Sequence, residues 1–156
     1  MAEKDIGVDY LNFFAYHGMI NKKITILVIK FLKEGRAHDI EIQYKDKKVE
    51  KLCTDLKKAK KDLPANVAEK LHALINLIES ADNLKDIDEL QIYHLHPLQG
   101  KREGQYALDV AGRRAGYRLV IIPLDADGSE WKEKDVNVVY KATEVIIAWE
   151  VSNHYE

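Results

Sequence analysis

A single cysteine, Cys53, in 156 residues has no intramolecular partner, so neither a disulfide framework nor a cysteine-based zinc cluster is available. That agrees with a reducing compartment, and cytoplasm is the expected location. No internal repeat or low-complexity segment is apparent. Long apolar runs are also missing. The run at residues 24–29 lies between Lys22, Lys23, Lys30 and Lys33, whereas a membrane span needs roughly 20 predominantly apolar residues. No secretory leader is expected either, because Ala2-Glu3-Lys4-Asp5 is acidic as well as basic and no small-residue cleavage site follows an apolar run.

An excess of positive charge is absent too. The formal net charge is −2, which argues against a general nucleic-acid coat protein, since counterion release needs several cations presented together. The distribution is uneven, however. Residues 99–118 hold Lys101, Arg102, Arg113, Arg114 and Arg118 against Glu103 and Asp109, a net of +3, while residues 119–156 hold three basic and eight acidic residues. A polyanion would be met in the middle of the chain.

With 46% hydrophobic and 32% charged residues, the chain can bury one sizeable core and is too short for two enzymatic domains. Residues 1–39 differ in composition, being dense in aromatic and branched side chains around Gly18 and Asn21. They read as an appended arm, either for docking or dimerising, or merely packed on the main domain of residues 40–156, or an upstream extension with no selected role. Strict alternation at Ile40-Glu41-Ile42-Gln43-Tyr44 predicts a half-buried strand. Val49, Leu52, Cys53 and Leu56 fall on one helical stripe, where Cys53 is expected to be buried and inert. Asp62, as capping residue, and Pro64 open a second helix carrying Val67, Leu71, Leu74, Ile75 and Ile78. A short helical turn is expected within residues 83–90. Residues 105–110 and 117–122 then read as a hairpin with a basic tip. Residues 136–151 read as strand, with a change of apolar phase between Ala142 and Val145 that a bulge or break would cause. The order β-α-α-β-β-β predicts an α+β fold: a twisted antiparallel sheet with two helices on one face and an open groove on the other.

The stretch Leu95-His96-Pro97-Leu98-Gln99-Gly100, with Gly104-Gln105-Tyr106, Tyr117-Arg118-Leu119 and the closing Asn153-His154-Tyr155, resembles HigB-like toxins of the RelE/ParE superfamily. The likeness covers about three quarters of the chain. It implies a RelE-like fold and a metal-independent, cofactor-free endoribonuclease that cleaves mRNA on the ribosome. In that reaction the ribose 2′-hydroxyl attacks its own 3′ phosphate, which calls for a base, an acid and cationic stabilisation of the phosphorane.

The resemblance implies His96, Arg118, His154 and Tyr155 as catalytic, and Gln99, Lys101, Arg102, Arg113 and Arg114 as the RNA or phosphate contacts. An imidazole exchanges protons near neutrality, and a guanidinium clamps phosphate bidentately. Each has a plainer alternative: His96 bonding a turn, Arg118 pairing with Asp109, the other cations solvated, and the terminal pair frayed. Gln99 stands where the family has lysine, Lys101 where it usually has aspartate, and Asn153-His154-Tyr155 where it commonly has Asp-Tyr-His. Trp131 and Trp149 offer stacking surfaces, although Trp149 reads better as core. His17, His38 and His72 lack metal-ligand spacing.

The partners implied are a helix-turn-helix antitoxin, the ribosome and mRNA, with a homodimer or an antitoxin heterotetramer as the assemblies to expect and no membrane. Two other readings stand beside the nuclease. One is a ParE-like inhibitor of DNA gyrase, which needs no histidine at this position. The other is a catalytically degenerate paralogue that only binds antitoxin.

Overall fold

The computed structural model describes residues 39–153; the arm reading, apart from Asp39, and His154 and Tyr155 lie outside them. β1, Glu41–Tyr44, alternates between exposed and half-buried residues. Ile42 and Tyr44 pack against the core, as the sequence pattern predicts.

Asp46 then caps α1, Lys47–Thr54, its carboxylate accepting from the Val49 amide at 2.9 Å. Val49, Leu52 and Cys53 are buried, and burial pushes the Cys53 thiol up to about 12, which keeps it protonated. Leu56 departs from the expected stripe. Asp55 ends α1 and caps a separate helix, α2, Leu56–Asp62, by accepting from Lys58 at 3.0 Å. This break turns Leu56 outward to 38% exposure. Asp62 does not cap the next helix either; it closes α2 in an ion pair with Lys58 at 2.9 Å, and Pro64 holds the cap position of α3, Ala65–Ser80. Val67, Leu71, Leu74, Ile75 and Ile78 of α3 are all buried. Asn83 caps the short α4, Leu84–Asp88.

β2 is the dipeptide His96–Pro97, β3 is Tyr106–Asp109 and β4 is Tyr117–Leu124. The β3–β4 connection carries a 3₁₀ turn, Arg113–Ala115, bracketed by Gly112 and Gly116 at φ 80° and 74°. Those left-handed values favour glycine, and they place the basic tip.

The expected strand over residues 136–151 is corrected. Residues Val136–Ala142 form a helix, α5, capped by Asp135, and β5 is Val145–Asn153. The apolar phase changes because Val136, Val139 and Tyr140 follow helical spacing, with Val139 and Tyr140 buried and Val138 turned out at 43% exposure.

The molecule is α+β, with sheet order β1-β5-β4-β3-β2. Its ladders are antiparallel except the first, because β1 runs parallel to β5; the sheet is therefore mixed. A register shift sets Glu150 opposite Val120 but Ala148 opposite Ile121, leaving Trp149 as the extra residue of a bulge. Trp149 is half-buried, with Lys45 Nζ 4.4 Å from its ring centre.

Residues paired directly across a ladder project to the same side. One face therefore carries Tyr106, Leu108, Leu119, Ile121, Ile146 and Ala148, which share a single buried cluster with Val49, Leu71, Leu74, Val139 and Tyr140 from the helices. No described helix is long and apolar enough to cross a membrane.

Ile121 is fully buried at the centre of this cluster. Truncation there loses transfer free energy and leaves a cavity. Ile121→Ala is expected to lower unfolding free energy by ~2–5 kcal/mol in urea titration, with an unchanged denaturant slope.

Candidate active site

The other face of the sheet carries different chemistry. His96 is opposite Ala107, Ala107 is opposite Val120, and Asp109 is opposite Arg118. His96, Asp109 and Arg118 therefore project to one side of β2, β3 and β4, away from the helix-packed cluster. The bulge at Trp149 keeps Glu150 and Ser152 of β5 in register with that same side, opposite Val120 and Arg118.

Asp109 is the anchor. It is 2% exposed, and its Oδ1 faces Arg118 Nε at 3.5 Å. The plainer reading of Arg118 as an ion-pair partner of Asp109 is thus realised, but only through Nε. The two terminal guanidinium nitrogens of Arg118 have no partner among the described residues, and the side chain is 26% exposed.

Asp109 Oδ2 faces His94 Nδ1 at 3.7 Å, too long for a hydrogen bond, and both atoms are buried without a hydrogen-bond partner. On its other edge, His94 Nε2 lies 2.8 Å from Arg113 Nη2. A guanidinium can only donate, so His94 Nε2 is the acceptor and its ring proton sits on Nδ1, toward Asp109.

His96 also has its tautomer set by an acceptor. Its Nδ1 lies 2.6 Å from the His94 carbonyl oxygen, which can only accept. Nδ1 therefore carries the proton, leaving the Nε2 lone pair free to take another. The two rings pack with centroids 4.4 Å apart and planes tilted by 31°.

Burial lowers the His94 pKa below the usual histidine value, and the neighbouring His96 and Arg113 lower it further; Asp109 opposes them. The side chain as a whole is 38% exposed, but its Nδ1 edge is sealed against the carboxylate. A cavity of about 720 Å³ opens beside this group, lined by Asp88, Gln91, Ile92, His94, Asp109 and Arg113 among others.

The remaining sequence candidates are placed differently. Arg113 and Arg114, on the same turn, are both exposed; Arg113 joins the cluster through His94. Arg102 is engaged: its guanidinium contacts Glu150, and its Nε donates to Gln105 Oε1 at 2.8 Å. Lys101 is exposed on the 3₁₀ turn Gly100–Arg102. Gln99 lines a second cavity of about 380 Å³ with Pro97, Tyr106 and Lys134, not the one beside His94. Trp131 donates from Nε1 to Thr143 Oγ1 at 3.0 Å, and His72 Nε2 lies 3.1 Å from the Leu52 carbonyl oxygen. Among the described residues no group of three or more histidine, cysteine or carboxylate side chains could hold a metal ion.

His94 has no role in the sequence reading. The only signal for it was the His-x-His spacing itself, which extended geometry alone would not convert into a stacked pair. No protein-family model matches the chain, and no curated protein matches it either.

The lowered His94 pKa has a signed consequence for stability. Above the unfolded value of about 6.5 both states leave this ring neutral, so its full contribution is present. Below that pH the unfolded chain binds a proton that the folded chain resists, and stability is lost as pH falls through the folded pKa. Urea midpoints measured from pH 8 down to pH 5 should therefore fall, less so in His94→Asn. An equal fall in both would mean that other groups cause it.

Proposed function

We propose that this chain is a cytoplasmic toxin that cleaves ribosome-bound mRNA and is neutralised by a helix-turn-helix antitoxin. The observation that carries the reading is the shared sheet face of His96 and Arg118, with the His96 lone pair at Nε2 and the terminal nitrogens of Arg118 without a partner among the described residues. This is what the resemblance asks for: a base and a cation on one face of the sheet, both outside the core.

In the proposed reaction His96 Nε2 takes the proton of the ribose 2′-hydroxyl, and the oxygen attacks the adjacent phosphorus. The phosphorane gathers negative charge, which Arg118 receives through its terminal N–H groups. The P–O5′ bond breaks, a 2′,3′-cyclic phosphate remains, and a proton must reach the departing 5′ oxygen. The resemblance assigns that proton to His154 or Tyr155. Arg113 and Arg114, at the tip of the β3–β4 connection, would follow RNA phosphates.

A second reading has its own support. The Arg118 pairing with Asp109 and the absence of a lysine at Gln99 both reduce the positive charge available to a phosphate, which favours a paralogue that binds antitoxin without cutting.

A translation extract separates the two. Cleavage is expected at defined mRNA positions only when ribosomes are present, reduced ~10²-fold or more in Arg118→Ala and abolished in His96→Phe. Intact mRNA in the extract, with normal growth of cells expressing the chain without antitoxin, would establish the non-cutting paralogue instead. Stalled supercoiling by DNA gyrase with intact mRNA would point to a ParE-like inhibitor.

A further inference from the structure

We propose that His94 is a positioning residue whose left-handed backbone aims its carbonyl oxygen at His96 Nδ1 and thereby holds the His96 lone pair at Nε2. The inference rests on the reading of His96 as the proton-transfer group, but the arrangement it describes is independent of any RNA.

His94 is the only non-glycine residue with positive φ among the described residues, at φ 45° and ψ 52°. A side chain with a Cβ enters that region rarely and at a cost, so the surrounding structure must enforce it. Here the enforcement is visible. The 3₁₀ turn Gln91–Tyr93 closes on His94, whose amide donates to the Gln91 carbonyl at 3.2 Å. β2 begins two residues later and is pinned to β3 through His96 and Pro97.

Between these two fixed points the chain must reverse its twist within His94 and Leu95, and Leu95 is buried. The reversal turns the His94 carbonyl back onto the ring two residues ahead, at 2.6 Å. An extended residue at position 94 would direct that carbonyl elsewhere, leaving His96 Nδ1 without its acceptor.

The His94 ring then restrains the turn from the side-chain end. It packs on His96, accepts from Arg113 at 2.8 Å and faces Asp109. The lowered His94 pKa, whose causes include His96 and Arg113, keeps this ring an acceptor for the Arg113 guanidinium. One residue thus sets the proton position of His96 through its backbone and the placement of Arg113 through its ring.

The tautomer is directly measurable. Long-range proton–nitrogen correlation spectra of the full chain labelled with nitrogen-15, at about pH 8 where histidines are neutral, would be assigned with His96→Gln. In the unmodified chain His96 is expected to show a protonated Nδ1 and a bare Nε2.

Two substitutions divide the backbone role from the ring role. His94→Gly accommodates positive φ and should retain the His96 pattern. His94→Val, whose β-branch disfavours positive φ, should lose the bare Nε2 signal as the proton moves there. A protonated Nε2 in the unmodified chain overturns the proposal whether or not either variant folds, as does an unchanged His96 pattern in folded His94→Val. Because no RNA or ribosome is present, a chain with the expected tautomer but no cleavage would refute the nuclease reading and leave the positioning role standing.

Discussion

Asp109 is the constraint on which the rest of the site depends. A carboxylate at 2% exposure is costly to bury without compensation, and the compensation comes from two sides: Arg118 at Oδ1 and the Nδ1 edge of His94 at Oδ2. Neither contact is a short hydrogen bond. The carboxylate is held chiefly by charge, and its second oxygen is under-satisfied. Such a group imposes order on what surrounds it, because any movement of Arg118 or His94 away from β3 leaves it unpaired in a region of low dielectric.

That arrangement connects the hairpin to the segment before β2. Arg118 lies on β4, Asp109 on β3, Arg113 on the connection between them, and His94 and His96 on a segment that reaches the sheet only at its edge. The sheet supplies the rigid frame, and the polar contacts supply direction. Arg118 is tied through Nε and His96 through Nδ1, and among the described residues the terminal nitrogens of Arg118 and Nε2 of His96 have no partner. Under the proposed reading, this division between a restrained atom and an available atom would preorganise the site.

Much of the frame was legible in the residue pattern. The stripe of Val49, Leu52 and Cys53, the longer stripe from Val67 to Ile78 and the alternation over β1 each report one buried face, and burial of that face is what these elements do. Other features were ambiguous for physical reasons. Over seven residues, Val136, Val138 and Tyr140 fit a strand about as well as Val136, Val139 and Tyr140 fit a helix. Packing of Tyr140 against Tyr106, with ring centres 5.7 Å apart, accompanies the helical solution. Leu56 was misassigned because Asp55 can end one helix and start another, a choice made by backbone geometry at a single residue. The parallel pairing of β1 with β5 joins segments about a hundred residues apart in the chain, beyond the reach of any local period.

The sequence by itself determined which residue types were available and their spacing: a histidine ahead of a proline, an arginine opening a strand, a basic hairpin tip, and apolar periods that assign one side of each long element to the core. Only the tertiary structure decided that His96 and Arg118 share a face, that Asp109 rather than solvent occupies one edge of the guanidinium, and that His94 turns its carbonyl onto His96. The reason is that side-chain partnership across strands depends on register, and register is fixed by the whole sheet and its bulge. Proton placement depends further on which acceptor lies within about 3 Å, a distance that no one-dimensional pattern records.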